Sequence, residues 1–251
     1  MNAQSRPRIF RGRVTFLLSI SLACLMLVGS AITRTGTAHA ACSGHCYGVA
    51  EWPNAIHGTH TEIETTSLGT NNNQYHISNE MWLLDSAHSC VNNSISWVEA
   101  GEATQYKGTG TWYFWADCRP GSKEIDHWVY PVPQSDYASY FQYFIYQDSG
   151  NSYHVEMDTA QGYGLWHAES TYNSMVPNYI NVGTETTSAQ NTIGSYTPFI
   201  YNEYQGTNGI WGWQANPGNP PTGHSDSPPY WYWNVIPAPG NQGGSGASNC
   251  C

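Results

Sequence analysis

Ser94-Ile-Ser-Trp-Val-Glu-Ala-Gly101 has no helical spacing in its apolar residues, but it alternates. In an extended chain, side chains two apart share a face. Ile95, Trp97, Glu99 and Gly101 therefore stand on one side, and Ser96, Val98, Ala100 and Glu102 on the other. Beside Trp97 the Glu99 carboxyl is partly desolvated, which raises its pKa; Glu102 points away and reads as ordinary surface. A second run, Tyr179-Ile-Asn-Val-Gly-Thr-Glu-Thr186, is built the same way. Tyr179, Asn181, Gly183 and Glu185 share a face, and Ile180 and Val182 share the opposite one. A carboxylate has little reason to occupy the inward face of a strand unless something is bound there. Glu99 and Glu185 are thus candidates for an acid/base pair around a water. Gly101 and Gly183 are expected to leave room beside them for a substrate backbone.

Outward from these runs the pattern repeats. Tyr, Trp, Thr, Val and Ile dominate segments broken by Gly, Asn, Ser and Pro every ten or so residues, which is the mark of an antiparallel β-sandwich. The predicted strands are Gly58–Glu64, Gln74–Asp85, Ser94–Ala103, Gly110–Ala116, Ile125–Tyr130, Tyr140–Gln147, Tyr153–Asp158, Ala168–Thr171, Tyr179–Thr187, Phe199–Tyr204, Gly209–Gln214 and Tyr230–Ile236. Asp148-Ser-Gly-Asn151 is a hairpin turn, and a short helix capped by Ser135 is expected after Pro133. Beyond residue 214 the chain changes character. Asn216–Pro221 and Ser227–Pro229 read as rigid loop, and 239–248 as a glycine-serine linker.

The first forty residues combine Arg6, Arg8, Arg11 and Arg13, an apolar run from Val14 to Ile32, and Ala38-His39-Ala40. That is the pattern of a secretory signal peptide with an A-x-A cleavage site, so an exported, extracellular protein is expected. Residues 41–73 then form an N-terminal strand region, 74–214 the sandwich core and 215–251 the C-terminal segment. Without residues 1–40, three basic side chains (Lys107, Arg119 and Lys123) face all 18 acidic ones, a formal charge of −15. Such a surface excludes nucleic acid and anionic membrane as partners. With few salt bridges to lose, it also tolerates mild acid. Cys42, Cys46, Cys90, Cys118, Cys250 and Cys251 make an even set, so disulfides are expected in an exported chain. Cys90 and Cys118 are the natural middle pair, and the terminal cysteines are expected to tie the two ends.

No metal or cofactor is expected. His57 and His60 fall on opposite faces of a strand and read as surface histidines. Asp117, Glu124, Asp126 and His127 beside Arg119 and Lys123 read as a solvated loop rather than a calcium site. There is no G-x-S-x-G elbow, H-E-x-x-H or glycine-rich phosphate loop. Core packing explains many of the 11 Trp and 18 Tyr, but exposed ones on a sandwich face also grip sugar rings or peptides. They leave open a second class of function, a non-catalytic module that grips polysaccharide or peptide on aromatic side chains. A glycosidase with the two glutamates flanking a sugar bond is a third.

Five stretches, His76–Leu84, Asn93–Gly101, Thr111–Asp117, Tyr153–Trp166 and Asn181–Thr186, resemble in content and order the catalytic domain of neprosin-type glutamic peptidases. The resemblance covers roughly residues 74–204. It implies a sandwich of two curved antiparallel sheets with a cleft on the concave face. The glutamates of that family's "(I/V)-E-A-G" and "G-G-E" segments fall on Glu99 and Glu185. Trp97, Gly101, Trp115, Asp117, Asn181 and Gly183, on or beside the same strands, are the candidate substrate contacts. Gly183-Thr-Glu185 departs from Gly-Gly-Glu, Glu102 stands where an aromatic residue is usual, and the plant members' propeptide has no counterpart. The expectation is a monomeric, acid-active endopeptidase that needs no cofactor and takes a polypeptide substrate.

Overall fold

The computed structural model describes residues 45–53, 56–69, 76–104, 110–148, 152–159, 166–171, 175–187, 192–193, 197–213, 223–226, 231–236 and 242–247. The chain divides into two units, Met1–Ala40 and Ala41–Cys251, and every described residue lies in the second. The expected signal peptide, Cys42, Cys250, Cys251 and the side chain of Cys46 lie outside the described residues.

The described residues are almost entirely strand: β1 (Cys46–Pro53), β2 (Ile56–Glu64), β3 (Leu68–Gly69), β4 (Ile77–Asp85), β5 (Ser96–Thr104), β6 (Thr111–Cys118), β7 (Ile125–Pro131), β8 (Tyr140–Gln147), β9 (Ser152–Thr159), β10 (Trp166–Thr171), β11 (Tyr179–Thr186), β12 (Thr192–Ile193), β13 (Thr197–Gly206), β14 (Trp211–Trp213), β15 (Gly223–Asp226), β16 (Trp231–Ile236) and β17 (Gln242–Ala247). They form an antiparallel sandwich. One sheet has the order β15-β1-β11-β4-β5-β6-β7. The other runs β10-β9-β8-β2-β13-β17-β16, with β14 on β13. All twelve predicted strands are present.

Alternation places the core between the sheets. Ala50, Trp52, Met81, Leu83, Val98, Ala100, Tyr113, Trp115, Ile180 and Val182 from the first sheet meet Ile63, Phe141, Tyr143, Ile145, Tyr153, Val155, Met157 and Phe199 from the second. Each large side chain among them contributes roughly 1.5–3 kcal/mol by leaving water. A smaller apolar cluster lies on the other face of the first sheet: Val49, Trp82, Leu84, Trp97 and the Cys90–Cys118 disulfide. β4 and β5 are therefore buried on both faces, unlike an ordinary half-solvated antiparallel strand. The middle pairing expected of the cysteines is the one observed, and it braces this second cluster.

Three local expectations are corrected. Gln242–Ala247, read as linker, is a strand paired on both edges, with β13 and β16; ladder hydrogen bonds use the backbone, so a Gly/Ser sequence suffices once neighbours are in place. After Pro133 there is only a 3-10 turn, Gln134–Asp136, with no side-chain cap. Glu102 is not surface but fully buried. It accepts hydrogen bonds from the Thr66 N–H and Asn79 Nδ2, each at 3.0 Å. Residues 149–151 of the expected hairpin turn lie outside the described set; β8 and β9 pair around them, and the Asp148 N–H donates to the Ser152 carbonyl at 3.0 Å.

Candidate active site

The outward face of the first sheet carries a groove of about 520 Å³. Strand register fixes what lies on its floor. Asn181, Trp82 and Glu99 form one cross-strand row over β11, β4 and β5. Gly183, Glu80 and Gly101 form the next row, and Glu185 stands opposite Ser78 in the row after. Both expected glutamates line this groove, together with Trp97 and Asn181.

Glu99 and Glu185 are not side by side. One strand and four residues of register separate them, roughly 17 Å between Cα atoms on a flat sheet. Glu80 stands between. It is diagonal to Glu99 across the β4–β5 ladder and diagonal to Glu185 across the β4–β11 ladder, a relation that puts side chains about 7–8 Å apart. Glu80 falls inside the His76–Leu84 stretch, yet sequence reasoning gives it no role. Its signal is present there: it shares the face of Trp82 at a spacing of two.

Electrostatics follow from this line of carboxyls. Burial pushes Glu99 well above the ordinary carboxylate range, and the charges of Glu80 and then Glu185 push it further. Glu80 is raised for the same first reason and next by Glu185. Glu124 and Asp126 add two more carboxyls to the lining from the β7 side, Asp126 standing in the same cross-strand row as Glu99; burial and then Asp126 raise Glu124. His45, immediately before β1, hydrogen-bonds Glu185 through Nδ1, and that contact raises the His45 pKa despite partial burial. Tyr47 is raised by burial and then by Glu185. Half-buried His76, also in the lining, is lowered by desolvation and sets Nδ1 3.1 Å from the Thr104 carbonyl oxygen. The end of the groove away from Glu185 is walled by Trp82, Leu84 and Trp97.

Not every expected residue comes to this place. Trp115 and Asp117 lie on the core-facing side of β6: Trp115 belongs to the inter-sheet core and stacks on His127 at 3.8 Å. Asp117 is buried and accepts from the Ser170 hydroxyl, with Arg119 Nε 3.5 Å away. The side chain of Phe114, one position earlier, is the one that lines the groove. The cluster read as one solvated loop is therefore split, with Glu124 and Asp126 at the groove and Asp117 behind the sheet. Gly101 and Gly183 do not open space for a ligand. A Cβ at Gly101 would collide with the Asn79 carbonyl oxygen, and one at Gly183 with that of Gly48. They let neighbouring backbones approach on either side of Glu80. His60, expected at the surface, is 5 % exposed; it stacks on Phe144 at 4.2 Å and pairs with Glu203 at 3.3 Å. No group of three or more metal-ligating side chains occurs among the described residues.

No protein-family model matches the sequence, and no curated protein matches it. Solved structures do match in shape. The fold is similar to scytalidoglutamic peptidase bound to a peptide-based transition-state analogue, with a TM-score of 0.54 at 8 % identity. A second structure of that peptidase with a transition-state analogue inhibitor gives 0.52 at 11 % identity. SCP-B, a member of the eqolisin family of peptidases in complex with the tripeptide Ala-Ile-His, gives 0.50 at 8 %. Each comparison covers 83 % of this chain and 100 % of the other. The chain thus has a glutamic-peptidase-like β-sandwich fold.

Proposed function

We propose that this chain is an exported, acid-active endopeptidase of the glutamic kind, with Glu99 and Glu185 as its working carboxyls and a polypeptide as its substrate. The observation that carries the reading is the convergence of these two glutamates on one groove floor in different electrostatic settings. Glu99 is buried and held protonated at acidic pH; Glu185 is tied to His45. That division supplies one acid and one base.

The chemistry follows. The Glu185 carboxylate takes a proton from a water, and the resulting hydroxide attacks the scissile carbonyl carbon. Glu99 then gives its proton to the amine nitrogen as the C–N bond breaks, leaving a carboxylic acid and an amine. Solvent takes the proton from Glu185 and restores the one lost by Glu99. Activity falls as pH rises and Glu99 ionises, which confines cleavage to the acid side. The separation of the two carboxyls leaves room for both a water and a peptide bond between them. The buried lining groups without a protein hydrogen-bond partner include the Trp97 Nε1–H donor and the Asn181 Oδ1 acceptor. These two match the alternating acceptors and donors of a peptide backbone. The similar structures, peptidases holding a peptide-based analogue or a tripeptide, support the same substrate class.

The test is cleavage of a denatured protein at about pH 3–5 by wild type, Glu99→Gln and Glu185→Gln, with circular dichroism to confirm the fold. Wild-type cleavage lost in both variants is expected. Undiminished cleavage by both variants, or peptide binding without any turnover by wild type, refutes the reading; the latter result would mark a binding module instead.

A further inference from the structure

Glu80 is the buried groove carboxyl to which the acid and base steps assign no task, and its setting is specific. It is 2 % exposed and lines the groove. The Ser78 hydroxyl donates to its Oε1, while Oε2 is buried without a hydrogen-bond partner. Its two cross-strand neighbours are Gly101 and Gly183, so no side chain in its own row covers it. Along the floor it stands between the base and the acid, the position over which a scissile carbonyl lies when its carbon faces Glu185 and its nitrogen faces Glu99.

We propose that Glu80 donates a hydrogen bond from Oε2 to the scissile carbonyl oxygen and holds the oxyanion that forms when the water attacks. The proposal rests on the hydrolytic reading above and adds to it a third catalytic carboxyl, one that keeps its proton throughout. Ser78 occupies Oε1 as an acceptor, so the proton of a neutral carboxyl resides on Oε2. Burial and the surrounding charges favour that neutral form, Glu185 from β11 first and then Glu124 and Asp126 from the β7 side, with Glu99 of β5 also interacting with it; the Ser78 hydrogen bond works against it, and the cationic partner nearby, His45 ahead of β1, is paired with Glu185. A carboxylic acid kept neutral in an apolar site is an established form of oxyanion donor. A donor already fixed by burial and by its Ser78 contact costs little reorganisation when charge develops.

Two variants separate this role from a structural one. Glu80→Ala removes the donor and is expected to lower kcat by about a hundred- to a thousand-fold, with KM changed by less than about three-fold and the melting transition retained. Glu80→Gln keeps an N–H donor in the same place and is expected to recover activity to within roughly ten-fold of wild type. An alanine variant within about three-fold of wild type would overturn the proposal, and so would a glutamine variant as inactive as the alanine one. A second measurement does not depend on activity. Infrared difference spectra of wild type against Glu80→Gln at about pH 6 should show one protonated-carboxyl band that the variant lacks; absence of that band also overturns it. A wild type that cleaves nothing yet shows the band would remove the hydrolytic reading and the catalytic task with it, while leaving Glu80 identified as a neutral donor.

Discussion

Replacing Glu102 by Gln should stabilise this protein at neutral pH and do little in acid. Glu102 is wholly buried at the edge of the inter-sheet core, and its carboxyl is pushed up to about 7 from 4.5. Desolvation is the first cause, and the hydrogen bonds from Asn79 and Thr66 offset only part of it. Below pH ~4.5 both the folded and the unfolded chain carry this proton, so folding loses nothing. As pH rises towards ~7 the unfolded chain ionises while the folded one does not, which favours unfolding. Above ~7 the folded carboxyl ionises as well, and the loss is complete. At about 1.4 kcal/mol per pH unit of displacement, the full effect is on the order of 3 kcal/mol. For a domain of this size that corresponds to a shift of roughly 6–12 °C in Tm. The glutamine side chain retains an acceptor for Asn79 and Thr66 without the charge. Urea unfolding of wild type and Glu102→Gln at about pH 4.5 and pH 8, followed by tryptophan fluorescence, measures the difference directly. The variant should gain about 3 kcal/mol at pH 8 and stay within about 1 kcal/mol of wild type at pH 4.5. Glu62, Glu80 and Glu99 are raised in the same direction, so wild type itself loses stability as pH rises. A gap between the two proteins that does not change with pH would refute the reasoning.

In Glu185→Gln the His45 pKa should fall below its wild-type value, because the hydrogen bond that raises it is gone while burial still lowers it; the imidazole proton shift followed by NMR reports this, and an unchanged titration contradicts the pairing. Reducing Cys90–Cys118, or changing both to Ala, should cost about 3.5 kcal/mol from loop entropy alone for a sequence separation of 28, visible as a lower urea midpoint. Asp117→Asn should destabilise by roughly 1–3 kcal/mol through its buried contacts with Ser170 and Arg119, yet leave substrate affinity unchanged. A rise in KM with unaltered stability would place Asp117 at the groove after all.

Period-two alternation and turn residues were sufficient for the fold class and for all twelve predicted strands, because they reflect local backbone sterics and the need of each strand to bury one face. They also put Glu99 beside Trp97 and Glu185 beside Asn181, since which residues share a face is a property of the strand alone. Alternation does not say whether the second face is covered. From sequence Glu102 reads as surface because an exposed outer face is the usual case, but here it turns into the inter-sheet space and is buried with Asn79 and Thr66. Nor can a run of Gly and Ser at 242–247 announce a strand, when its partners lie some forty to fifty residues earlier in β13 and a few residues away in β16. Register is the quantity that only the tertiary structure decided. Setting Trp82 opposite Glu99, and Ser78 opposite Glu185, put Glu80 at the centre of the groove floor. The same pairing turned Trp115 and Asp117 behind the sheet. Side-chain direction is written residue by residue in the chain; which side chains become neighbours depends on contacts between strands as far apart as Gly48 and Asp226, 178 residues.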